Sequence, residues 1–500
     1  MACFTIKSIT SGKHRRFSAA EWALDVDKVN SLDDIAQTIQ PQDPLLLYRD
    51  RFGFSEPYLD SSSKASLEEE RREAVDQIMK QYGMDGILQF AETVESPRGL
   101  GETLSNEKLY DFANKLFPLY LDNDNPHVKE LVRGYIRTQQ ALYDWIWVDG
   151  LDKSRWSLHQ KARFLSYLPF SKETWLRADS WLGKLKTKYW QCATFNTHQA
   201  DKNDLEEAIR ELIRVKRSAE AIECIYTARS NSHALAASKC LDLLLAVAES
   251  IKAPSSTIEG YHIGKLISGL QADPSVESER LFEVEWVYLP LLLENASVNR
   301  PLLTDYKLAS DPEFFCQIIR IIYKSQNENE IGDPNQKPSK SLVQTVRRLL
   351  HDWNVPPGRI SDGSFDGDRF CKFLSKVKEL STKTGHQESA LEHIGRVLAN
   401  TPPDPDGLWI HKSVADELNR MNAKPLRDGY IIGLFNSRGV HRVDPTGTTE
   451  HKLGEVYKIK AEQLDSEGYT RFASSLRKLA DQYELQAERT KTDHLPLAPD

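Results

Sequence analysis

No apolar run in the sequence approaches the roughly 18 to 20 residues needed to cross a bilayer, so no transmembrane helix is expected. Runs of Val, Ile and Thr are scarce, which removes the usual material of a large sheet. Cysteine is sparse as well. The six cysteines, Cys3, Cys192, Cys224, Cys240, Cys316 and Cys371, form no Cys-x-x-Cys pair, so neither a zinc ribbon nor a disulfide framework is suggested. Buried thiols acting as small hydrophobes are the expectation. Excess positive charge is also missing. A formal net charge of -8 argues against a general nucleic-acid surface, which draws on clustered Lys and Arg. The opening stretch, Met1 to Arg16, ends in Lys13-His14-Arg15-Arg16 with no apolar segment behind it. It does not read as a secretory signal, and a cytoplasmic, reducing location is expected.

Motifs of catalysis are equally thin. Ser11-Gly12-Lys13-His14 lacks the upstream glycine and the hydroxyl residue of a phosphate-cradling loop. Asp362-Gly363-Ser364-Phe365-Asp366-Gly367-Asp368 has the alternating oxygens of a calcium loop, but Phe373 stands where the bidentate Glu belongs. That segment reads as a loop ending in a helix N-cap. His386, His393 and His411 are the nearest grouping of histidines, without companion carboxylates in register. Lys383-Thr384-Gly385 matches one fragment of the penicillin-binding motifs, and its Ser-x-x-Lys partner is absent. There is no Gly-x-Ser-x-Gly elbow. No catalytic residue, cofactor or metal site is therefore assigned, and the chain is expected not to be an enzyme.

What the sequence does have is helix-forming residues in amphipathic order. Hydrophobic residues make up 40% and charged residues 28%, as in ordinary globular chains. Glu68-Glu69-Glu70-Arg71-Arg72 opens a helix whose apolar face runs through Val75, Ile78 and Met79 and stops at Gly83. Asn106 to Trp190 is rich in aromatic rings at helical spacing, read as core in preference to a base-stacking surface. Leu205, Ala208, Ile209, Leu212 and Ile213 share one face, and a second helix with Leu235, Cys240, Leu241, Leu244 and Val247 follows the turn Ser230-Asn231-Ser232. Further helices are read near 261–270, 278–293, 342–353, 368–380, 388–399 and 411–420. Asp311-Pro312-Glu313 has the order of N-cap, first helical proline and first-turn acid. The last 50 residues read as a helix pair, with a loose tail from Asp493.

Such hairpins bury their apolar faces only against neighbouring hairpins. The expected fold is all-α, an α-solenoid of degenerate hairpins stacked in tetratricopeptide or HEAT fashion, with a smaller C-terminal helical unit. The domains expected are an irregular N-terminal arm (1–64), an aromatic-rich helical domain (65–200), a helical-repeat domain (201–328) and a C-terminal helical domain (339–500), the last two separated by the polar linker Ser325 to Ser339. No fixed-period repeat is present.

Two loops carry residues suited to protein contacts. The stiff, acidic Thr401-Pro402-Pro403-Asp404-Pro405-Asp406-Gly407 leads into Trp409, and the basic turn Asn436 to Arg442 carries Arg438, His441 and Arg442. Trp409, Arg438, His441 and Arg442 are the candidate partner-binding residues; plain interhelix connectors closed by Pro and Gly are the alternative for both loops.

Several stretches carry a family likeness. Ala74-Val75 with Gly83 and Ser96-Pro97, Tyr167-Leu168-Pro169 with Glu173-Thr174-Trp175, Tyr261-His262-Ile263-Gly264, Glu285-Trp286-Val287-Tyr288-Leu289-Pro290, Asp311 to Phe315 and Arg438-Gly439-Val440-His441 are the motifs concerned. Over roughly residues 35 to 490 the chain resembles the C-terminal helical-repeat region of large, mostly uncharacterised bacterial signal-transducing ATPases of the phage-defence type. These motifs are structural and bring no catalytic residue with them. The resemblance implies a sensor or regulatory role beside a protein partner, an effector or ATPase subunit, because this chain holds no phosphate loop. The alternatives are a nucleic-acid-associated regulator using the aromatic-rich part and the Arg438 loop, and a hydrolase with a dispersed site.

Overall fold

The structure, a computed structural model, describes residues 24–39, 41–53, 61–106, 117, 119–230, 235–250, 257–294, 301–326, 338–360, 362–439 and 444–493. Among them are 22 α-helices and no strand, so the fold is all-α. No helix of the described residues is long and apolar enough to cross a membrane. The polar linker lies largely outside the described residues, as do Tyr110, Phe112, His441, Arg442 and the tail beyond residue 493. Contacts divide the chain into two compact units, Met1–Leu235 and Ala236–Asp500.

The first unit holds α1 (Val26–Thr38), α2 (Pro44–Leu47), α3 (Ser61–Thr93), α4 (Pro97–Asn106), α5 (Pro126–Gly150), α6 (Leu158–Tyr167), α7 (Lys172–Leu182), α8 (Thr187–Cys192), α9 (Leu205–Arg214) and α10 (Ser218–Ser230). Gly83 breaks α3 with φ 64°, as its position in the sequence suggests. The aromatic run is largely core: Phe117 meets Tyr135, Trp156 and Phe164 edge-on at 5.4–6.0 Å, and Phe170 packs on Trp175 and Trp190. The helix after Arg214 corrects the sequence reading. The chain turns at Val215 to Arg217, with Lys216 at φ 61°, so α10 and not the helix beyond residue 230 is the partner of α9. Arg217 secures this turn by donating to the carbonyls of Trp190 and Ala193 at 3.0 and 2.9 Å.

The second unit holds α11 (Ala237–Ser250), α12 (Thr257–Gln271), α13 (Ser278–Glu294), α14 (Leu303–Ser310), α15 (Pro312–Ile322), α16 (Lys340–Asp352), α17 (Gly367–Lys383), α18 (Gln387–Leu398), α19 (Lys412–Asn419), α20 (Lys424–Asn436), α21 (Thr448–Ser466) and α22 (Thr470–Asp493). The Asp311 carboxylate accepts from Phe314 N at 3.0 Å ahead of Pro312, the cap that Asp-Pro-Glu announces. Asp366 caps α17 in the same way. α20, like α14, is a helix that periodicity overlooks: it contains Gly429 and Gly433, which lower helix propensity. Of the five described cysteines, none in a disulfide, three are buried as expected and Cys192 and Cys371 are exposed.

Two helix crossings explain the placement of glycine. A methyl group on Gly134 would collide with the Arg98 carbonyl, and one on Gly101 with the Leu131 carbonyl, so α4 and α5 meet backbone to backbone. Gly395, Gly429 and Gly433 do the same for α18 and α20 against the carbonyls of Leu426, Glu392 and Arg396. Asp144, within α5, sits at φ 54° and ψ -160°, a region nearly reserved for glycine.

Gly134→Ala and Gly429→Ala are each expected to destabilise by at least about 2 kcal/mol through forced separation of the helices. Gly269→Ala, in a helix with open space around it, is expected to be neutral or to stabilise by up to about 1 kcal/mol. Melting midpoints check the contrast; equal effects at all three sites contradict it. Asp144→Gly is expected to raise the midpoint by relieving about 1 kcal/mol of backbone strain, and a lowered midpoint refutes that strain.

Candidate functional site

The C-terminal helices build a surface from the core outward. On α22 the buried positions Phe472, Leu476, Leu479, Ala480, Tyr483 and Ala487 follow a helical stripe that faces α21, where Tyr457, Ala461 and Leu464 are buried. Tyr483 is stacked between Tyr457 (5.7 Å) and Phe435 (5.9 Å). A second stripe of α22, comprising Gln482, Leu485, Gln486 and Arg489, turns away from α21. With Ile431, Ile432 and Phe435 of α20 it lines a groove of about 400 Å³. Phe435 and Leu485 are 43% and 53% exposed. An apolar wall on α20 faces a mixed wall on α22, where Leu485 stands among Gln482, Gln486 and Arg489, the make-up of a surface that accepts an amphipathic helix.

Two of the sequence-derived contact residues, Trp409 and Arg438, fall around this group of helices. Arg438, three residues beyond Phe435, forms an ion pair with Glu450 that leaves the two side chains only 15% and 5% exposed. Its guanidinium lies 6.0 Å from the Tyr483 ring. The Trp409 ring packs 6.1 Å from Phe472, under the Lys460 ammonium at 4.4 Å. Burial lowers the pKa of that lysine. Phe472 and Tyr483 are about three turns apart on α22, so Trp409 and Arg438 address different ends of it. His441 and Arg442 lie outside the described residues. Phe435, Ile431, Ile432 and Leu485 are absent from the sequence-derived set. Their only signal is that Leu485 lies off the apolar stripe of α22, since Gly429 and Gly433 hide the helical character of α20.

The acidic loop before α19 owes its stiffness to Asp404. Its carboxylate accepts from Asp406 N at 3.0 Å and Lys412 N at 2.7 Å, and Gly407 makes the turn with φ 95°. Burial raises the Asp404 pKa, but these donors and nearby His411 outweigh it and hold the carboxyl below its ordinary value. Asp404, His411 and Ser413 are the residue types of a hydrolytic triad, yet their geometry is that of a cap. Ser413 Oγ lies 2.8 Å and Asp404 Oδ2 4.0 Å from the same ring nitrogen, His411 Nδ1, which also accepts from Ser413 N at 3.3 Å. A general base needs its two nitrogens on opposite partners.

His386 and His393 are tied to the segment after α15. His386 Nε2 lies 3.1 Å from the Tyr323 carbonyl, and the Tyr323 hydroxyl lies 2.9 Å from His393 Nε2. His393 is 6% exposed. Burial, reinforced by Arg396, lowers its pKa to about 4. Asp362, in the calcium-like loop, accepts from Ser364 N and Oγ at 2.8 and 2.6 Å. Among the described residues no group of three or more His, Cys, Asp or Glu side chains is arranged to hold a metal. Set against protein-family models, curated proteins and solved structures, the chain matches none.

The lowered pKa of His393 gives a pH test. The unfolded imidazole takes up a proton below about pH 6.5 while the folded one resists until about 4, so stability falls as pH drops through that window. Between pH 7.5 and 5 the chain is expected to lose about 2 kcal/mol more than a His393→Gln variant in denaturant titrations. Parallel pH profiles contradict the assignment.

Proposed function

We propose that the chain is a non-enzymatic helical scaffold that binds a protein partner, with the groove between α20 and α22 receiving an amphipathic helix of that partner. The observation that carries this reading is the exposure of Phe435 and Leu485 on the two walls of one depression. Apolar side chains of this size held in water over a shared groove favour association. A helix presenting anchors at i, i+3 and i+7 fits between two helical walls. Gln482 and Gln486 offer hydrogen bonds at the rim, and Arg489 suits an acidic residue at the edge of the bound helix.

The likeness to the helical-repeat region of bacterial signal-transducing ATPases supports the rest of the reading. The chain acts as a sensor or regulatory subunit in a cytoplasmic antiviral-defence or stress-signalling system. ATPase or effector chemistry belongs to the partner, and the stacked hairpins serve as a solenoid that presents the groove.

Leu485 is more than half exposed, so Leu485→Asp is expected to fold and to melt as the unaltered chain does. Tagged full-length chain and variant, cross-linked in the native host, are compared by mass spectrometry. One protein is expected to be enriched at least about tenfold by the unaltered chain over the variant. Equal recovery by the two, or recovery of nothing by either, sinks the reading.

A further inference from the structure

The α4–α5 crossing in the first unit gathers arginines. Gly134 seats against the backbone of Arg98, so Arg98 and Glu102 on α4 face the part of α5 that carries Glu130, Arg133 and Arg137. Those three positions share one helical face by their spacing of three and four. Arg137 Nε donates to the Tyr167 carbonyl at the end of α6 at 3.1 Å, which brings Arg163, one turn earlier on α6, to the same place. Arg163 and Arg133 both act on the Tyr167 hydroxyl, and Arg133 and Arg98 both act on Arg137.

The carboxylates among the described residues do not balance this cluster. Glu130 pairs with Arg133 at 3.0 Å and Glu102 with Arg98 at 3.2 Å, leaving Arg137 and Arg163 as excess positive charge. Three guanidinium nitrogens here, Arg133 Nε, Arg137 Nη2 and Arg163 Nε, are buried and meet no hydrogen-bond acceptor. Burial and the neighbouring Arg133 and Arg98 lower the pKa of Arg137, yet an arginine stays charged in such a place. Like charges drawn together with donors left over are stabilised by an anion that supplies acceptors. Planar guanidinium forks match the oxygens of a phosphate.

We infer that Arg98, Arg133, Arg137 and Arg163 form a binding site for the phosphate group of a small ligand, where the α4, α5 and α6 helices meet. The site gathers four arginines, two of them on α5, and the chain is acidic overall. These features favour a single phosphate over the backbone of a nucleic acid, whose binding spreads over many basic groups. The site is separate from the α20–α22 groove and stands or falls independently of the partner-binding reading.

The test uses the full chain with inorganic phosphate, and then a mononucleotide, against chloride at matched ionic strength. About 20 mM phosphate is expected to raise the melting midpoint by about 2–4 °C. The mononucleotide arm tells a free phosphate from one carried on an organic body: a larger shift assigns the latter, an equal or smaller one the former. Arg137→Gln is expected to weaken binding at least about tenfold in calorimetric titration, and Arg137→Lys, which lacks the planar fork, to recover only part of that loss. Arg98 is 43% exposed, so Arg98→Gln decides the matter if the Arg137 variant does not fold. Phosphate behaving as chloride overturns the site, and so does an undiminished shift in the folded Arg98→Gln chain. Steeply salt-dependent binding of single-stranded DNA with no response to phosphate overturns it as well.

Discussion

The constraint on which much of this structure rests is the meeting of helix backbones at glycine. Where α4 crosses α5, and where α18 crosses α20, no side chain stands between the two main chains. Contact at this range lets Cα–H groups approach carbonyl oxygens and increases dispersion along the crossing. It also sets what lies to either side. Arg98 faces Arg133 and Arg137 because Gly134 allows the approach. The groove wall formed by Ile431, Ile432 and Phe435 is fixed because Gly429 and Gly433 seat α20 on α18.

Buried polar groups provide a second kind of fixing. Glu285 of α13 is fully buried, and its carboxylate accepts from Gln271 Nε2 at 2.7 Å and from Thr304 N at 3.1 Å. Burial raises its pKa, opposed by those donors and by Leu303 N. Its place at the start of α14 satisfies N–H groups that a helix leaves open, so one side chain joins three helices. Trp353 adds a fourth by donating its indole N–H to the Asp305 carbonyl at 3.1 Å. Networks of this type demand one arrangement, since a half-made version would strand a buried charge.

Helices were legible in the sequence where local chemistry decides them. Asp311-Pro312-Glu313 marks a start that needs no tertiary partner, and the stripe from Phe472 to Tyr483 identifies α22 by period alone. α20 was not legible because Gly429 and Gly433 count against a helix until the backbone of α18 lies beside them. The turn at Lys216 was hidden for a related reason: a lysine with positive φ carries none of the usual signs of a turn. Arg438 reads as a loop residue ready for contact, but Glu450 lies 12 residues further on, a separation with no local meaning. Only the approach of α21 to the end of α20 turns the two into an ion pair.

The residues of greatest functional interest are those left over when these demands are met. In the aromatic-rich part packing buries Phe117, Tyr135, Trp156, Phe164, Tyr167, Trp175 and Trp190, and the capping positions absorb Asp366, Asp404 and His411. Two kinds of leftover are distinguished by their setting and not by exposure alone, since Leu142, Tyr143 and Ile146 of α5 also stay exposed. Apolar side chains face water along the groove between α20 and α22, and guanidinium groups gather where α4 and α6 each pack on α5, with too few acceptors among the described residues. Stability gives no reason for either: Leu485 adds little to a core it does not enter, and Arg137 draws no benefit from the company of Arg98 and Arg133. On the two proposals made above, binding removes the apolar surface at one place and neutralises the charge at the other.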